Sequence, residues 1–256
     1  MQHFFVTPDQ VGDKEIWITG ADVNHICNVL RMKIGEELKI SDGNNQNYLC
    51  AVEEMTKESV RVKILETFCT DTESSCRIVL FQGLPKSDKM DWIVQKSVEL
   101  GVSEIVPMAT ARAVVKLDEK KAKKKTERWQ AVSESAAKQA GRGKIPEVKQ
   151  VMGFSEALTY AGTLDHVLIP YELAEGMEET RRQFSSLRAG GSIGILIGPE
   201  GGFEVEEVGK AMELARAVPV TLGKRILRTE TAGLFVLSVL SYLCLLYTSP
   251  SPRDCS

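Results

Sequence analysis

Alternating apolar and polar positions predict a strand-rich region in the first quarter of the chain. The runs that fit strands are 2–6, 15–18, 37–41, 46–53 and 59–66. Residues 42–45 read Asp-Gly-Asn-Asn, which tolerate positive φ and predict a hairpin turn between two of these strands. We therefore expect a small β-barrel in this region.

One helix is predicted among these strands. Apolar residues recur at helical spacing at Val23, Ile26, Cys27 and Leu30. Asp22 stands just before them and is the predicted N-cap, because its carboxylate can accept a hydrogen bond from the first turn.

The pattern changes at residues 67–75, where Thr, Ser, Asp and Glu without periodicity predict a linker. Beyond it, apolar strand-like runs alternate with helical ones. The predicted strands are 78–82, 104–107, 167–170, 193–197 and 218–222, and the first helices are 90–100 and 118–140. Strands separated by helices at this spacing pair in parallel, so we expect a parallel sheet with helices on both faces and domains at 1–70 and 76–246.

The last apolar stretch, 234–247, is shorter than the roughly 20 residues that a membrane span needs. We expect it to be a buried or dimer-forming helix, with no membrane partner. Residues 247–256 resemble translated sequencing-adaptor read-through and are expected to be a non-native tail. Residues 1–10 lack the features of a secretory signal, so a cytoplasmic location is expected.

The charge of the chain and its cysteine and histidine content narrow the possible functions and leave local phosphate binding open. The net charge of −3 argues against a surface coated with phosphate-binding cations. Residues 112–149 nevertheless contain 12 Lys or Arg against 5 Asp or Glu, and the run at 120–125 fits a solvated helix face and a phosphate-contacting patch equally well. Six scattered cysteines are expected to be free thiols, and three distant histidines predict no metal site.

Two strand-to-helix loops carry the candidate chemistry. Residues 196–203 read LIGPEGGF, in which Gly201 and Gly202 permit a tight turn. Residues 222–232 read LGKRILRTETA, in which Thr229 can cap a helix while Arg228 and Glu230 project from its start. Each loop alone could be an ordinary connection. Two such loops after successive strands of a parallel sheet are expected to face one ligand.

The sequence contains neither G-x-G-x-x-G after a strand nor G-x-x-x-x-G-K-[ST], which argues against a dinucleotide or nucleoside-triphosphate site. A pocket of backbone groups without a phosphate fingerprint suits adenosine with an amino-acid tail better.

With these loops, the chain resembles the bacterial 16S rRNA uridine-N3 methyltransferases of the RsmE family, within the SPOUT superfamily. The resemblance covers nearly the whole chain. Besides the two loops, it rests on residues 3–6, 25–31, 85–92, 95–102, 127–129 and 139–142. Many relatives have Arg where this chain has His3.

The resemblance implies a PUA-like β-barrel, an α/β SPOUT domain with a C-terminal trefoil knot, and a homodimer. It also implies S-adenosylmethionine as methyl donor without a metal, and the 16S rRNA of the small ribosomal subunit as partner. The implied donor-binding residues are Tyr171, Glu172, Leu196, Ile197, Gly198, Pro199, Glu200, Gly201, Leu222, Gly223, Ile226, Leu227 and Arg228.

Methylation of N3 requires loss of its proton, so we hypothesise two catalytic residues. Arg228 would stabilise negative charge on the uracil carbonyls. Glu230 would orient Arg228 or accept the N3 proton. The alternative is that this pair merely caps the last helix. RNA binding is expected to spread over Arg31, Lys86, Lys89, Arg112 and Arg142.

Two other functions stay open at the level of sequence. One is a noncatalytic RNA-binding or ribosome assembly factor that keeps the fold, and the other is a SPOUT methyltransferase that acts on tRNA. Binding of the methyl donor separates the first from an enzyme, and the identity of the modified RNA separates the second.

Overall fold

The computed structural model describes residues 1–70, 72–115, 117–172, 176–187 and 190–246. The chain divides into two compact units. Unit 1 comprises Met1–Glu73 with Ala137–Ile145, and unit 2 comprises Ser74–Ala136 with Pro146–Ser256. The predicted boundaries, 1–70 and 76–246, did not assign residues 137–145 to the first unit. The predicted tail, 247–256, lies outside the described residues.

Unit 1 contains a five-stranded sheet in the order β1-β3-β4-β5-β2. Its strands are β1 (His3–Phe5), β2 (Glu15–Thr19), β3 (Glu37–Ser41), β4 (Gln46–Met55) and β5 (Ser59–Cys69). Alternate side chains such as Ile16, Leu38 and Val60 are fully buried, which is the half-buried pattern that predicted these strands.

The hairpin turn between β3 and β4 is confirmed. Gly43 and Asn45 have φ of 78° and 71°, a region that glycine and asparagine adopt at little cost. The linker prediction is wrong for residues 67–69, because β5 continues to Cys69 and pairs there with Gln46. Backbone hydrogen bonds hold this polar end of the strand, so hydrophobic periodicity could not reveal it.

The predicted helix of unit 1 is less regular than its apolar spacing suggests. The helix α1 (Ala21–Asn24) begins one residue before Asp22, and a π-helical turn follows at His25–Val29. Asp22 is therefore not the N-cap. Its carboxylate lies 3.1 Å from the ammonium of Lys138, within the same unit.

Unit 2 is built on a parallel sheet in the order β12-β10-β11-β6-β7-β8, with β9 paired to β7. Its strands are β6 (Arg77–Gly83), β7 (Glu104–Ala109), β8 (Glu147–Val148), β9 (Met152–Gly153), β10 (His166–Pro170), β11 (Ser192–Ile197) and β12 (Val218–Val220). Its helices are α2 (Lys89–Glu99), α3 (Glu119–Ala140), α4 (Phe154–Ala161), α5 (Met177–Ser186), α6 (Val205–Leu214) and α7 (Thr229–Leu246), of which the last residues of α3 belong to unit 1.

Helices cover both faces of this sheet. Phe81 and Leu196 share a buried cluster with residues of α4 and α6. The opposite face, which carries Leu80 and Ile197, lies beside Gly233 of α7. The predicted parallel α/β sheet is confirmed, whereas the trefoil knot stays a prediction. Within the described part of the chain, no helix is long and apolar enough to cross a membrane.

His3 lies on β1, and both of its ring nitrogens have partners within unit 1. Nδ1 donates to the carbonyl oxygen of Lys138 at 3.2 Å, and Nε2 lies 2.7 Å from the hydroxyl oxygen of Ser41. Burial lowers the pKa of His3 from 6.5 to about 4; the hydrogen bond to Lys138 opposes this shift, and the nearby charges of Lys39 and Lys138 add to it.

Stability should therefore depend on pH through His3. Because its pKa is lower in the folded state, the unfolded chain takes up the proton first as the pH falls. The stabilisation is present in full above about pH 6.5 and is lost as the pH approaches about 4. Urea unfolding of His3→Gln should show a weaker pH dependence in this range than wild type. The exposed His25→Gln serves as control, and an unchanged dependence in His3→Gln would contradict this account.

Candidate functional site

Three loops of unit 2 follow neighbouring strands of the parallel sheet. Residues 198–204 follow β11, residues 171–172 follow β10, and residues 221–228 follow β12. Since β12, β10 and β11 lie side by side and parallel, their carboxyl ends and these three loops meet at one edge of the sheet.

The loops line a cavity of about 590 Å³, a size typical of small-molecule sites. Twelve of the thirteen predicted donor-binding residues line it: Tyr171, Glu172, Ile197, Gly198, Pro199, Glu200, Gly201, Leu222, Gly223, Ile226, Leu227 and Arg228. Leu196 does not, because its side chain is fully buried in the core cluster that contains Phe81. Both predicted loops thus share one cavity.

The turn of the first loop is too tight for side chains. A Cβ atom on Gly198 would lie 2.9 Å from the carbonyl carbon of Gly202. A Cβ atom on Gly83, at the end of β6, would lie 2.7 Å from the backbone nitrogen of Pro199. Glycine at both positions therefore lets the loop backbone pack on the end of the sheet and face the cavity.

Thr229 joins the two loops by hydrogen bonds. Its buried hydroxyl donates to the carbonyl oxygen of Gly198 at 2.6 Å and accepts from the side-chain amide of Gln82 at 2.9 Å. The prediction that Thr229 caps α7 is off by one residue, because the carbonyl oxygen of Arg228 accepts from the N–H groups of Thr231 and Ala232. The sequence analysis did not single out Gln82; the available signal was an amide residue directly after an apolar strand run, and the structure shows that this amide is fully buried.

An ionic cluster lies beside this neutral link. The ammonium of Lys89 lies 3.1 Å from a carboxylate oxygen of Glu200 and 3.3 Å from one of Glu230. Hydrogen bonding to Glu200, aided by Glu230, raises the pKa of Lys89. Lys89, which the sequence predicted to bind RNA, therefore lines the cavity and faces two carboxylates.

Glu200 is also held by backbone. The N–H of Lys86 lies 3.1 and 3.2 Å from its two carboxylate oxygens. Partial burial acts to raise the pKa of Glu200, but hydrogen bonds from its own backbone N–H, Lys89 and Lys86 outweigh it and lower the pKa. Glu200 is thus an ionised carboxylate in the cavity wall.

Arg228 and Glu230 stand at the junction of the second loop and α7. Arg228 is exposed and lines the cavity, whereas the Glu230 side chain is 17% exposed and faces Lys89. A guanidinium can stabilise negative charge on a ligand, and a carboxylate can accept a proton. The arrangement therefore offers both groups that proton removal from a nucleobase requires.

The side chains of the other predicted RNA-binding residues differ in how far they are exposed to solvent. Arg31 and Lys86 are exposed, and Arg31 adopts φ of 53°. Arg112 is half-exposed, lines the cavity and donates to the carbonyl oxygen of Gly201 at 2.9 Å. These three side chains retain surface from which to reach RNA.

Arg142 is not a surface cation. Its side chain is 5% exposed, and its guanidinium lies 2.6 Å from the carboxylate of Glu73, within unit 1. The sequence predicted a phosphate contact because it shows the charge and not the partner. Contact with a phosphate would require this buried ion pair to open, which is costly.

No three metal-ligating side chains come together anywhere in the described ranges. Cys27, Cys50 and Cys69 are free thiols, as predicted, and Cys255 lies outside the described ranges.

Two known domain families match this chain. The RNA methyltransferase domain family matches residues 72–241, and the RNA methyltransferase PUA domain family matches residues 18–65. The larger unit is therefore that of an RNA methyltransferase. The ribosomal RNA small subunit methyltransferase E of Bacillus subtilis is 38% identical over 94% of this chain and 96% of its own. The chain belongs to this methyltransferase E family.

Solved structures agree. The methyltransferase E of Neisseria gonorrhoeae bound to S-adenosyl methionine is 33% identical, with a TM-score of 0.82 over 95% of this chain and 98% of its own. A methyltransferase of Legionella pneumophila in complex with the same cofactor is 31% identical, with a TM-score of 0.83 over 94% of this chain and 97% of its own.

The tight turn at Gly198 yields a stability prediction. Gly198→Ala should lower the free energy of unfolding by about 2 kcal/mol, because the added methyl meets backbone that cannot move aside. Gly209→Ala, inside α6 with open space around its Cβ position, should instead stabilise by about 1 kcal/mol. Urea unfolding measures both, and equal effects of the two substitutions would contradict the close approach.

Proposed function

We propose that this chain methylates N3 of a uridine in the 16S rRNA of the small ribosomal subunit, with S-adenosylmethionine as the donor. The observation that carries the proposal is the cavity that both strand-to-helix loops share, with Arg228 at its wall and Glu230 beside it. Membership of the methyltransferase E family and the donor-bound relatives support it.

The cavity fits this donor chemically. Backbone groups of residues 197–201 and 222–228 suit the adenosine, whose base and sugar hydroxyls form neutral hydrogen bonds. Glu172 and Glu200 supply negative charge near a donor that carries a sulfonium and an ammonium group. When bound, the donor supplies a methyl group activated by the positive sulfur.

Arg228 and Glu230 would prepare the uracil. N3 becomes nucleophilic when its proton leaves, and the resulting negative charge spreads over the two flanking carbonyl oxygens. Arg228 stabilises that charge with its guanidinium. Glu230, whose carboxylate contacts the ammonium of Lys89, accepts the N3 proton or orients Arg228. The walls of the cavity fix the direction of approach to N3.

RNA would be held by cations outside this pair. Arg31, Lys86 and Arg112 have accessible side chains, and α3 presents the exposed Lys120, Lys121, Lys123 and Lys124. Phosphate contacts of this kind fix orientation and carry no sequence information. A target base in a helix must also be unstacked before it can enter the cavity.

The proposal includes the homodimer that the family resemblance implies, and a cytoplasmic location. The exposed aromatic residues Phe235 and Tyr242 on α7, with Trp92 on α2, offer apolar surface for a second copy. Sedimentation equilibrium tests the dimer, and a monomer at micromolar concentration would remove it from the proposal.

Mass spectrometry of nucleosides tests the reaction itself. Small ribosomal subunits from a strain that lacks this enzyme should gain 3-methyluridine in 16S rRNA after incubation with the protein and S-adenosylmethionine. Transfer RNA from the same strain, as a parallel substrate, should gain none. Methylation of tRNA alone would favour the tRNA enzyme, and absence of donor binding with RNA binding retained would favour a noncatalytic factor.

Single-turnover rates with saturating donor and subunit test the catalytic pair. Arg228→Ala and Glu230→Ala should each slow methyl transfer by about 100-fold or more, because each removes a group used in the transition state. Lys210→Ala, an exposed residue of α6 that does not line the cavity, is the control. Wild-type rates in both variants would show that the pair only begins the helix.

A further inference from the structure

The position of Lys89 differs from that of an exposed side chain that contacts RNA phosphate. Lys89 is the first residue of α2, and its side chain is 32% exposed. Its ammonium contacts Glu200, in the loop after β11, and Glu230, at the start of α7. The two carboxylates belong to the two segments whose backbones line the cavity.

The local backbone is shaped around this contact. Ser87 adopts φ of 56°, a conformation that costs free energy in any residue with a side chain. This turn lets the N–H of Lys86 and the ammonium of Lys89 reach the same carboxylate of Glu200. Such a strained turn persists where surrounding contacts determine it, and Glu200 supplies those contacts.

Charge in the cluster argues against a phosphate-binding role. One ammonium between two carboxylates leaves a net negative cluster, which repels a phosphate rather than attracting it. The paired carboxylates also raise the pKa of Lys89, so the ammonium stays charged and bound to them. Lys86, three residues earlier, is exposed and is better suited to RNA.

We propose that Lys89 is a positioning residue that holds Glu200 and Glu230 in one arrangement and thereby couples the donor-binding loop to the catalytic start of α7. This inference rests on the proposed function, because Glu230 is assigned a role there. It predicts that loss of the ammonium weakens binding of the donor in the absence of RNA and slows methyl transfer when RNA is saturating.

Calorimetry with S-adenosylmethionine and no RNA is the first test. Lys89→Gln should bind the donor roughly tenfold more weakly, the size expected for one charge-assisted hydrogen bond. Lys89→Arg, which keeps the charge, should recover most of the affinity. Lys96→Gln removes a surface ion pair with Glu99 from the same helix and should bind like wild type.

Single-turnover methylation separates positioning from RNA binding. Lys89→Gln should lower the rate at saturating RNA, whereas Lys86→Gln should raise only the RNA concentration needed for half-maximal rate. Removal of a side chain that contacts RNA phosphate should also make RNA affinity less dependent on salt concentration. Lys89→Gln should leave that salt dependence unchanged.

Glu200→Gln, alone and combined with Lys89→Gln, gives a second test of the cluster, and a circular dichroism melt checks that each variant folds. In a shared cluster, the double variant Lys89→Gln/Glu200→Gln should lose much less donor affinity than the two single losses combined. Donor affinity and rate at wild-type level in Lys89→Gln would overturn the proposal, as would additive losses in the double variant. Failure of the wild-type protein to bind the donor would instead overturn the proposed function.

Discussion

The hydrogen bond from the Thr229 hydroxyl to the carbonyl oxygen of Gly198 joins two segments of unit 2 that are distant in sequence. The first is a glycine turn that can pack on the end of β6 because neither Gly198 nor Gly83 has a side chain. The second is the start of the helix that carries Arg228 and Glu230. Because Gln82 donates to the same hydroxyl from within the sheet, the cavity wall is anchored to the core of the unit. Lys89, which contacts both Glu200 and Glu230, adds an ionic link between the same two segments.

The sheet and the position of the site could be predicted from the sequence for physical reasons. Apolar runs such as 78–82 and 193–197 are buried on both faces of a parallel sheet, so they lack alternation and stand out. Parallel strands also bring their carboxyl ends to one edge, which places the loops after β11 and β12 together. Of the predicted donor-binding residues, Leu196 does not line the cavity, because its side chain points into the core while its neighbour Ile197 lines the cavity. Alternation along a strand decides that difference, and a family pattern does not show it.

The roles of the charged residues could not be predicted in the same way. Arg142 and Lys89 both read as surface cations, but one is buried against Glu73 and the other lies between Glu200 and Glu230. Their partners are 69 or more residues away in sequence, so no local pattern signals them. The π-helical turn at His25–Val29 could not be predicted either, because its apolar spacing is that of an ordinary helix.

Hydrogen–deuterium exchange with and without S-adenosylmethionine tests most directly whether both loops form one donor site. The donor should slow exchange of backbone N–H groups in residues 198–203 and in residues 222–228 together, at the same donor concentration. Residues of β4 and β5 in unit 1 provide the internal reference and should not change. Protection of one loop alone, or of neither, would contradict the claim that the two loops enclose a single ligand.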